Sequence, residues 1–435
     1  MCNVDDCCAK SLVKLSDLSS HLNTELSINI FFSTMSVILV LFGYQFVTTL
    51  FGNSMTVENS RSVTVPFRIL VLAVLVITWL LNRNTRRNSK SLRILWIYWA
   101  LLFVRMFYDL FLRTDIPIIS SDQRNVFILL AMTEAFIPSI VFSKCYNYID
   151  FNKLLIWSFL LTSATVLIAM FINTSAFLTG DVETGERLTA NVALNSISTG
   201  TLGLMAIIVA VEFLRKRKAF FILRPFVYLM IFIDFVFMLR AGSRGPLLSG
   251  FAVLLFTLLS MTKNKVANVT LLLLVGILLW NTMDYLETFI SDISPVLYER
   301  LDRDSLEAQF YGRDDLYSLA ISYFLESPIW GKYFSLYIGG EMVWPHNILI
   351  ESLLQLGVIG LALMMTIIVK SCIKVLSIGE SKANYFWLAL ILIAGICGGM
   401  VSSVFCTSSY ISPLYALLYA PIGSQNYSIL KRKPR

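Results

Sequence analysis

The chain has 435 residues, of which 57% are hydrophobic and only 14% charged, against roughly 45–50% and 25% in soluble globular proteins. A mean hydropathy of +0.72 leaves too little polar surface for a water-facing exterior, which excludes soluble, disordered and disulfide-rich secreted classes and points to an integral membrane protein. The net charge of +7 then reflects loop bias and gives no reason to expect nucleic acid as a partner.

In chain order, residues 1–27 are polar and mixed in charge, and they are expected to form a tail with no cleavable signal peptide. A bilayer core needs about 20 apolar residues per helix, and about twelve such runs follow. Nine lie within residues 28–283: near 28–51, 63–81, 92–112, 126–143, 154–172, 194–214, 221–239, 246–262 and 266–283. Residues 284–345 make one long connection, and 346–427 carry three further runs, near 346–369, 384–405 and 412–427. A short basic tail, 428–435, ends the sequence. None of these runs alternates polar and apolar residues as outer-membrane strands do. The predicted fold is all-α: a polytopic helical membrane protein with about 12 transmembrane helices and one long outer loop carrying amphipathic helices.

Lys and Arg number roughly 23 on one set of connections and 10 on the other, which places both termini in the cytoplasm. Most cysteines then fall on the reducing side, and no disulfide is expected. Cys2, Cys7 and Cys8 lack paired metal-ligand spacing and read as free thiols.

Charges inside spans are expensive, so their positions are informative. Arg68 falls near the outer end of the second span and Asp234 near that of the seventh. Arg105 and Asp109 are four apart on the third, and they form either a self-neutralising pair or part of a cavity wall. Glu134, in the middle of the fourth, has no evident partner. Together these charges predict a cavity open to the outside.

Three outer-face motifs carry candidate chemistry. Arg240-Ala-Gly-Ser-Arg244-Gly-Pro246 joins the seventh and eighth spans, and its two guanidiniums either cradle an oxyanion or snorkel to headgroups. In the long connection, Asp314 and Asp315 open an apolar-periodic stretch (Leu316, Leu319, Ala320, Tyr323, Phe324) that predicts an amphipathic helix on the membrane surface. Tyr311-Gly312-Arg313 precedes it; the aspartates suit a helix N-terminus, which leaves the arginine unexplained. Glu326-Ser-Pro-Ile-Trp-Gly331 then reads as a helix stop and turn. The third motif is Trp344-Pro345-His346-Asn347, followed by Glu351. His21 lies in the cytoplasmic tail, so His346 is the one imidazole available outside and the natural general base. Asn347 and Glu351 stack at i,i+4, which makes Glu351 a candidate to orient the neighbourhood, although helix geometry puts it off the His346 face.

The ordered set Ser-Arg-Gly, Gly-Arg, Glu-Ser-Pro-Ile-Trp-Gly and His-Asn-x-x-x-Glu-x-Leu-x-x-Leu-Gly-Val-x-Gly resembles the O-antigen ligase/polymerase family, the WaaL-type ligases and Wzy-type polymerases, over about residues 240–370. The resemblance implies a glycosyltransferase of the bacterial inner membrane that needs no cofactor or metal. It would act on the periplasmic face with an undecaprenyl-diphosphate-linked oligosaccharide as donor. Membrane lipid and a chain-length regulator are further partners it suggests. By position, His346 corresponds to the family's loop histidine, Arg313 to its loop arginine, and Arg240 or Arg244 to the arginine of the transmembrane turn. Arg68, Arg105, Tyr311, Asp314, Asn347 and Glu351 are expected to support the site. The polymerase reading, with a lipid-linked repeat unit as acceptor, is preferred to the ligase reading, with lipid A core as acceptor. A flippase or other transporter is the rival of a different class, but it would be expected to show paired repeats and midplane sites, which are not evident.

Overall fold

The computed structural model describes residues 26–51, 60–85, 89–113, 121–172, 195–216, 223–261, 270, 303–381, 383–402 and 404–420. The tail with Cys2, Cys7 and Cys8, the ninth predicted run apart from residue 270, the basic C-terminal tail and the end of the last run lie outside these residues. Helices dominate. Six long apolar helices come first: α1 (Leu26–Leu50), α2 (Arg61–Asn82), α3 (Lys90–Leu112), α4 (Arg124–Tyr148), α5 (Phe151–Ile172) and α6 (Ser196–Lys216). The next three are α7 (Arg224–Arg240), α8 (Arg244–Met261) and α9 (Arg303–Glu326). A two-stranded antiparallel hairpin, β1 (Leu336–Ile338) and β2 (Glu341–Val343), precedes α10 (Ile348–Glu380), α11 (Phe386–Val401) and α12 (Ser412–Leu418). Among the described residues seven helices, α1 to α6 and α10, are long and apolar enough to cross a bilayer. The chain is an all-α polytopic membrane protein.

α11 is the axis of the bundle. Every residue from Phe386 to Ile396 is buried, and α8 and α10 pack along it. Such all-round burial explains a helix that is apolar on every face. α7 lies tightly on α6, where a Cβ on Gly203 would stand 2.9 Å from the Asp234 carbonyl oxygen.

The embedded charges do not line one cavity, which corrects the expectation. Arg68 of α2 donates to Glu134 of α4 at 3.1 Å and lies over the Tyr44 ring, so Glu134 has a partner after all. Asp234 is fully buried where α7 meets α6. Asp109 is sandwiched on its own helix between Arg105 at 3.8 Å and Arg113 at 3.4 Å. Both Asp109 and Glu134 sit in short π-helical turns, Tyr108–Leu112 and Ala131–Phe136, a local widening that often accompanies buried polar groups in helices.

The long connection also departs from expectation. α9 begins at Arg303, eleven residues before Asp314, so Tyr311, Arg313 and Asp314 lie within the helix and do not precede it. Residues such as Leu306, Glu307, Ala308 and Gln309 favour helix, and Gly312 costs only about 1 kcal/mol, too little to stop it. The hairpin turns at Gly339-Gly340, a two-residue turn signal between short apolar stretches.

Basic residues gather at one end of the bundle. There Lys144 donates to the Arg83 carbonyl, Lys216 to Asn384 and Lys370 to Ser91. The opposite end carries the Arg240–Arg244 turn, the hairpin and His346.

Candidate functional site

At that second end two motifs separated by a hundred residues meet on the C-terminal end of α11. Arg240 closes α7, Arg244 opens α8, and the three residues between them, Ala241, Gly242 and Ser243, are buried. A Cβ on Gly245 would lie 3.1 Å from Ser402 Oγ, so the turn rests directly on the residue that caps α11. From the other side, Asn347 Nδ2 donates to the Met400 carbonyl at 3.1 Å. Nε and Nη1 of Arg240, Nε and Nη2 of Arg244, and Nδ1 of His346 are all shut off from solvent. Part of each guanidinium is thus enclosed by protein, although both arginines are half-buried as residues.

Local sequence explains how His346 is held. Trp344 stacks on Phe127 of α4 at 4.9 Å and meets Phe334 edge-on at 5.4 Å, and Pro345 is buried behind it. Asn347 is the N-cap of α10: its side-chain oxygen accepts from Leu349 N at 3.0 Å and Ile350 N at 3.3 Å. His346 is therefore outside the helix, and its φ of 58° is the single positive value for a non-glycine among the described residues. Strained backbone of this kind persists only where its surroundings fix it. Glu351, buried one turn down, lies close to the backbone N–H groups of His346 and Phe405. Helix geometry placed Glu351 off the His346 face; the closeness arises because His346 leaves the helical path.

The motif Glu326-Ser-Pro-Ile-Trp-Gly331 is a built element. Gly357, inside α10, has φ 63° and ψ −151°, and it breaks the helix there. Against this break lies the loop after α9: Val358 N donates to the Pro328 carbonyl at 2.9 Å, and Lys332 N donates to the Leu354 carbonyl at 3.0 Å. A Cβ on Gly357 would stand 2.5 Å from Ile329 and Pro328 backbone, and one on Gly331 equally close to Leu354–Leu356 backbone. Only glycine allows two main chains to approach so closely. Arg105 completes the joint by donating to the carbonyls of Trp330 (2.7 Å), Gly331 (2.9 Å), Gln355 (3.0 Å) and Lys332 (3.4 Å). Its guanidinium is thus committed to backbone. Arg113 donates to the Lys332 carbonyl and lies over the Tyr333 ring, and Asp109 accepts the Phe334 N–H. The spacing Arg105-x-x-x-Asp109-x-x-x-Arg113 is the sequence signal for this triad, with Arg113 just beyond the end of the third apolar run.

The sequence-predicted residues therefore divide. Arg240, Arg244, His346, Asn347 and Glu351 surround the end of α11, whereas Arg105 serves the glycine joint and Arg68 pairs with Glu134. Asp314 is exposed on α9. Tyr311 and Arg313 fall on the first half of α9, where the side chains lie outside the described residues. Outside the spans, burial raises the Tyr337 phenol above its usual range, and the Glu326 carboxylate raises the Lys332 ammonium.

An integral membrane protein in which an arginine-flanked turn and a capped histidine segment both contact the end of one buried helix is the class this geometry defines. Residues 229–365, which contain both motifs, match the family model described as O-antigen ligase, in keeping with the O-antigen ligase/polymerase family that the motifs resemble. That match supports a surface-polysaccharide ligase/polymerase enzyme of glycosyltransferase type. No curated protein and no solved structure matches the chain.

Proposed function

We propose that the protein transfers a glycan from undecaprenyl diphosphate to a second saccharide, at the periplasmic face of a bacterial inner membrane and with inversion at the anomeric carbon. The observation that carries this reading is the meeting of the Arg240–Arg244 turn and the His346–Asn347 cap at one helix end, inside the segment matched by the O-antigen ligase model. Polyprenyl diphosphate is a good leaving group, so the reaction needs charge stabilisation at the departing diphosphate and a base at the acceptor hydroxyl. Arg240 and Arg244 supply planar, permanently charged donors in a water-poor setting, where such contacts are strongest. By the family resemblance, Arg313 of α9 would add a third. His346 takes the proton as the acceptor oxygen attacks, a contribution of roughly 10²–10⁴-fold. Glu351 and Asn347 hold the imidazole-bearing residue in place. No step requires a metal or cofactor. The gathering of Lys and Arg at the opposite end supports a periplasmic site with both termini in the cytoplasm.

The preferred acceptor is another lipid-linked repeat unit, as in the Wzy-type polymerases, and a chain-length regulator would be a partner in that case. The second reading, transfer to lipid A core, is favoured by the description of the matching family model. Surface polysaccharide from a deletion strain separates the two on one gel: core capped with a single repeat indicates a lost polymerase, and bare core a lost ligase. Complementation with His346→Ala should leave the deletion strain's pattern unchanged while the variant inserts at normal abundance. Normal-length glycan from that variant would refute the base assignment.

A further inference from the structure

The hydrogen bonds of the glycine joint fix the depth of the loop after α9. On α3, Lys90 and Arg93 mark the basic membrane edge, and twelve residues separate Arg93 from Arg105. At 1.5 Å per residue Arg105 lies about 18 Å into a core of about 30 Å, so it sits roughly 12 Å below the opposite edge. α10 gives the same answer independently: Gly357 is thirteen residues from Lys370, about 20 Å from the basic edge. Trp330 is tied to the first position through its carbonyl on Arg105, and Pro328 to the second through Val358 N.

At that depth the loop exposes apolar side chains. Ile329 is 60% and Trp330 57% exposed, and Leu325 precedes them at 68%. They continue a surface already made by Val104, Phe107 and Phe111 of α3 and Val358 of α10, all exposed on helices that cross the bilayer. Backbone that is not helical survives at membrane depth only where protein satisfies it. Arg105, Val358 N and the turn at Leu354 do so here. Polar groups mark the rim, where Lys332 pairs with Glu326 beside Tyr323 and Tyr333.

We propose that Ser327–Lys332 is a re-entrant wedge inserted into the outer leaflet, with Ile329 and Trp330 packed among the acyl chains of bulk membrane lipid. The segment is thus part of the membrane-embedded surface and does not belong to a water-exposed connection. This inference stands apart from the reaction and would hold whichever saccharide is the acceptor.

Bromolipid quenching tests it. The full-length protein and Trp330→Phe are reconstituted into vesicles of ordinary phosphatidylglycerol and phosphatidylethanolamine, or of the same lipids brominated near the headgroup or near the chain terminus. The emission difference between the two proteins isolates Trp330. The expected result is a blue-shifted difference spectrum that loses most of its intensity in brominated bilayers, more with bromine near the headgroup, and that aqueous acrylamide leaves unchanged. A second variant, Ile329→Trp in the Trp330→Phe background, should recover the same quenchable component. Acrylamide quenching with no bromine effect would overturn the wedge by placing the loop in water. A component that neither agent quenches would overturn it too, by placing a second protein copy or the donor's polyprenyl chain over Trp330.

Discussion

Replacing Gly357 by alanine tests the joint on which the His346 end of the bundle is assembled. Its φ of 63° with ψ of −151° lies in a region essentially reserved for glycine, at a cost of about 1–3 kcal/mol for any other residue. The new methyl would also stand 2.5 Å from Pro328 and Ile329 main-chain atoms, which cannot rotate aside as a side chain would. Relief requires the loop to withdraw. That sacrifices the Val358 N–Pro328 bond and the Lys332 N–Leu354 bond, each worth about 1 kcal/mol net. The sum is about 3–5 kcal/mol, a large fraction of what holds an ordinary domain folded. Thermal unfolding in lipid nanodiscs should show Gly357→Ala well below wild type, and Gly331→Ala, which meets Leu354–Leu356 from the other side, should fall by a similar amount. Because both changes strain the same contact, the double variant should cost less than the sum of the singles. An alanine variant as stable as wild type would mean that the two main chains do not press together, and the account of the joint would fail.

Asn347→Ala removes the cap of α10 and the donor to Met400, for a loss of about 2 kcal/mol, and Asn347→Asp should recover roughly half by keeping only the cap; equal midpoints for the two variants would contradict this division. Arg68→Met leaves Glu134 without its cation and should destabilise by about 3 kcal/mol, whereas Arg68→Met combined with Glu134→Leu should be milder; a double variant worse than the single would argue against a paired charge. Arg240→Lys and Arg244→Lys should each lower transfer by about tenfold or more with insertion intact, because an ammonium cannot reproduce a two-point hold on phosphate; wild-type glycan lengths in either would remove that residue from the site.

Composition alone was enough to read the helical membrane fold, since runs of some twenty apolar residues admit no other solution in lipid. The extent of α9 was harder to see, because an amphipathic helix with nearly balanced polarity has no sharp edge in sequence. His346, Asn347, Arg240 and Arg244 could be singled out because each is unusual where it stands: the one outer imidazole, a capping amide before an apolar run, and paired guanidiniums at a glycine turn. The roles of Arg105 and Asp109 could not be read in the same way. Four residues apart on one helix, they looked self-sufficient, and the carbonyls and the Phe334 N–H that engage them come from a loop more than two hundred residues away.

The central helix carries one more implication. Sixteen residues make α11 about 24 Å long, several ångströms less than the apolar thickness of a bilayer. Because protein encloses it, lipid imposes no length requirement, and Asn384 beside its first turn is tethered to Lys216 at the basic surface. The shortfall therefore collects beyond Met400. Under the proposed function, a saccharide delivered to that spot would pass below the phosphate layer and shed hydration on the way down, so that bulk water, a competing nucleophile at the anomeric centre, would arrive there at low activity.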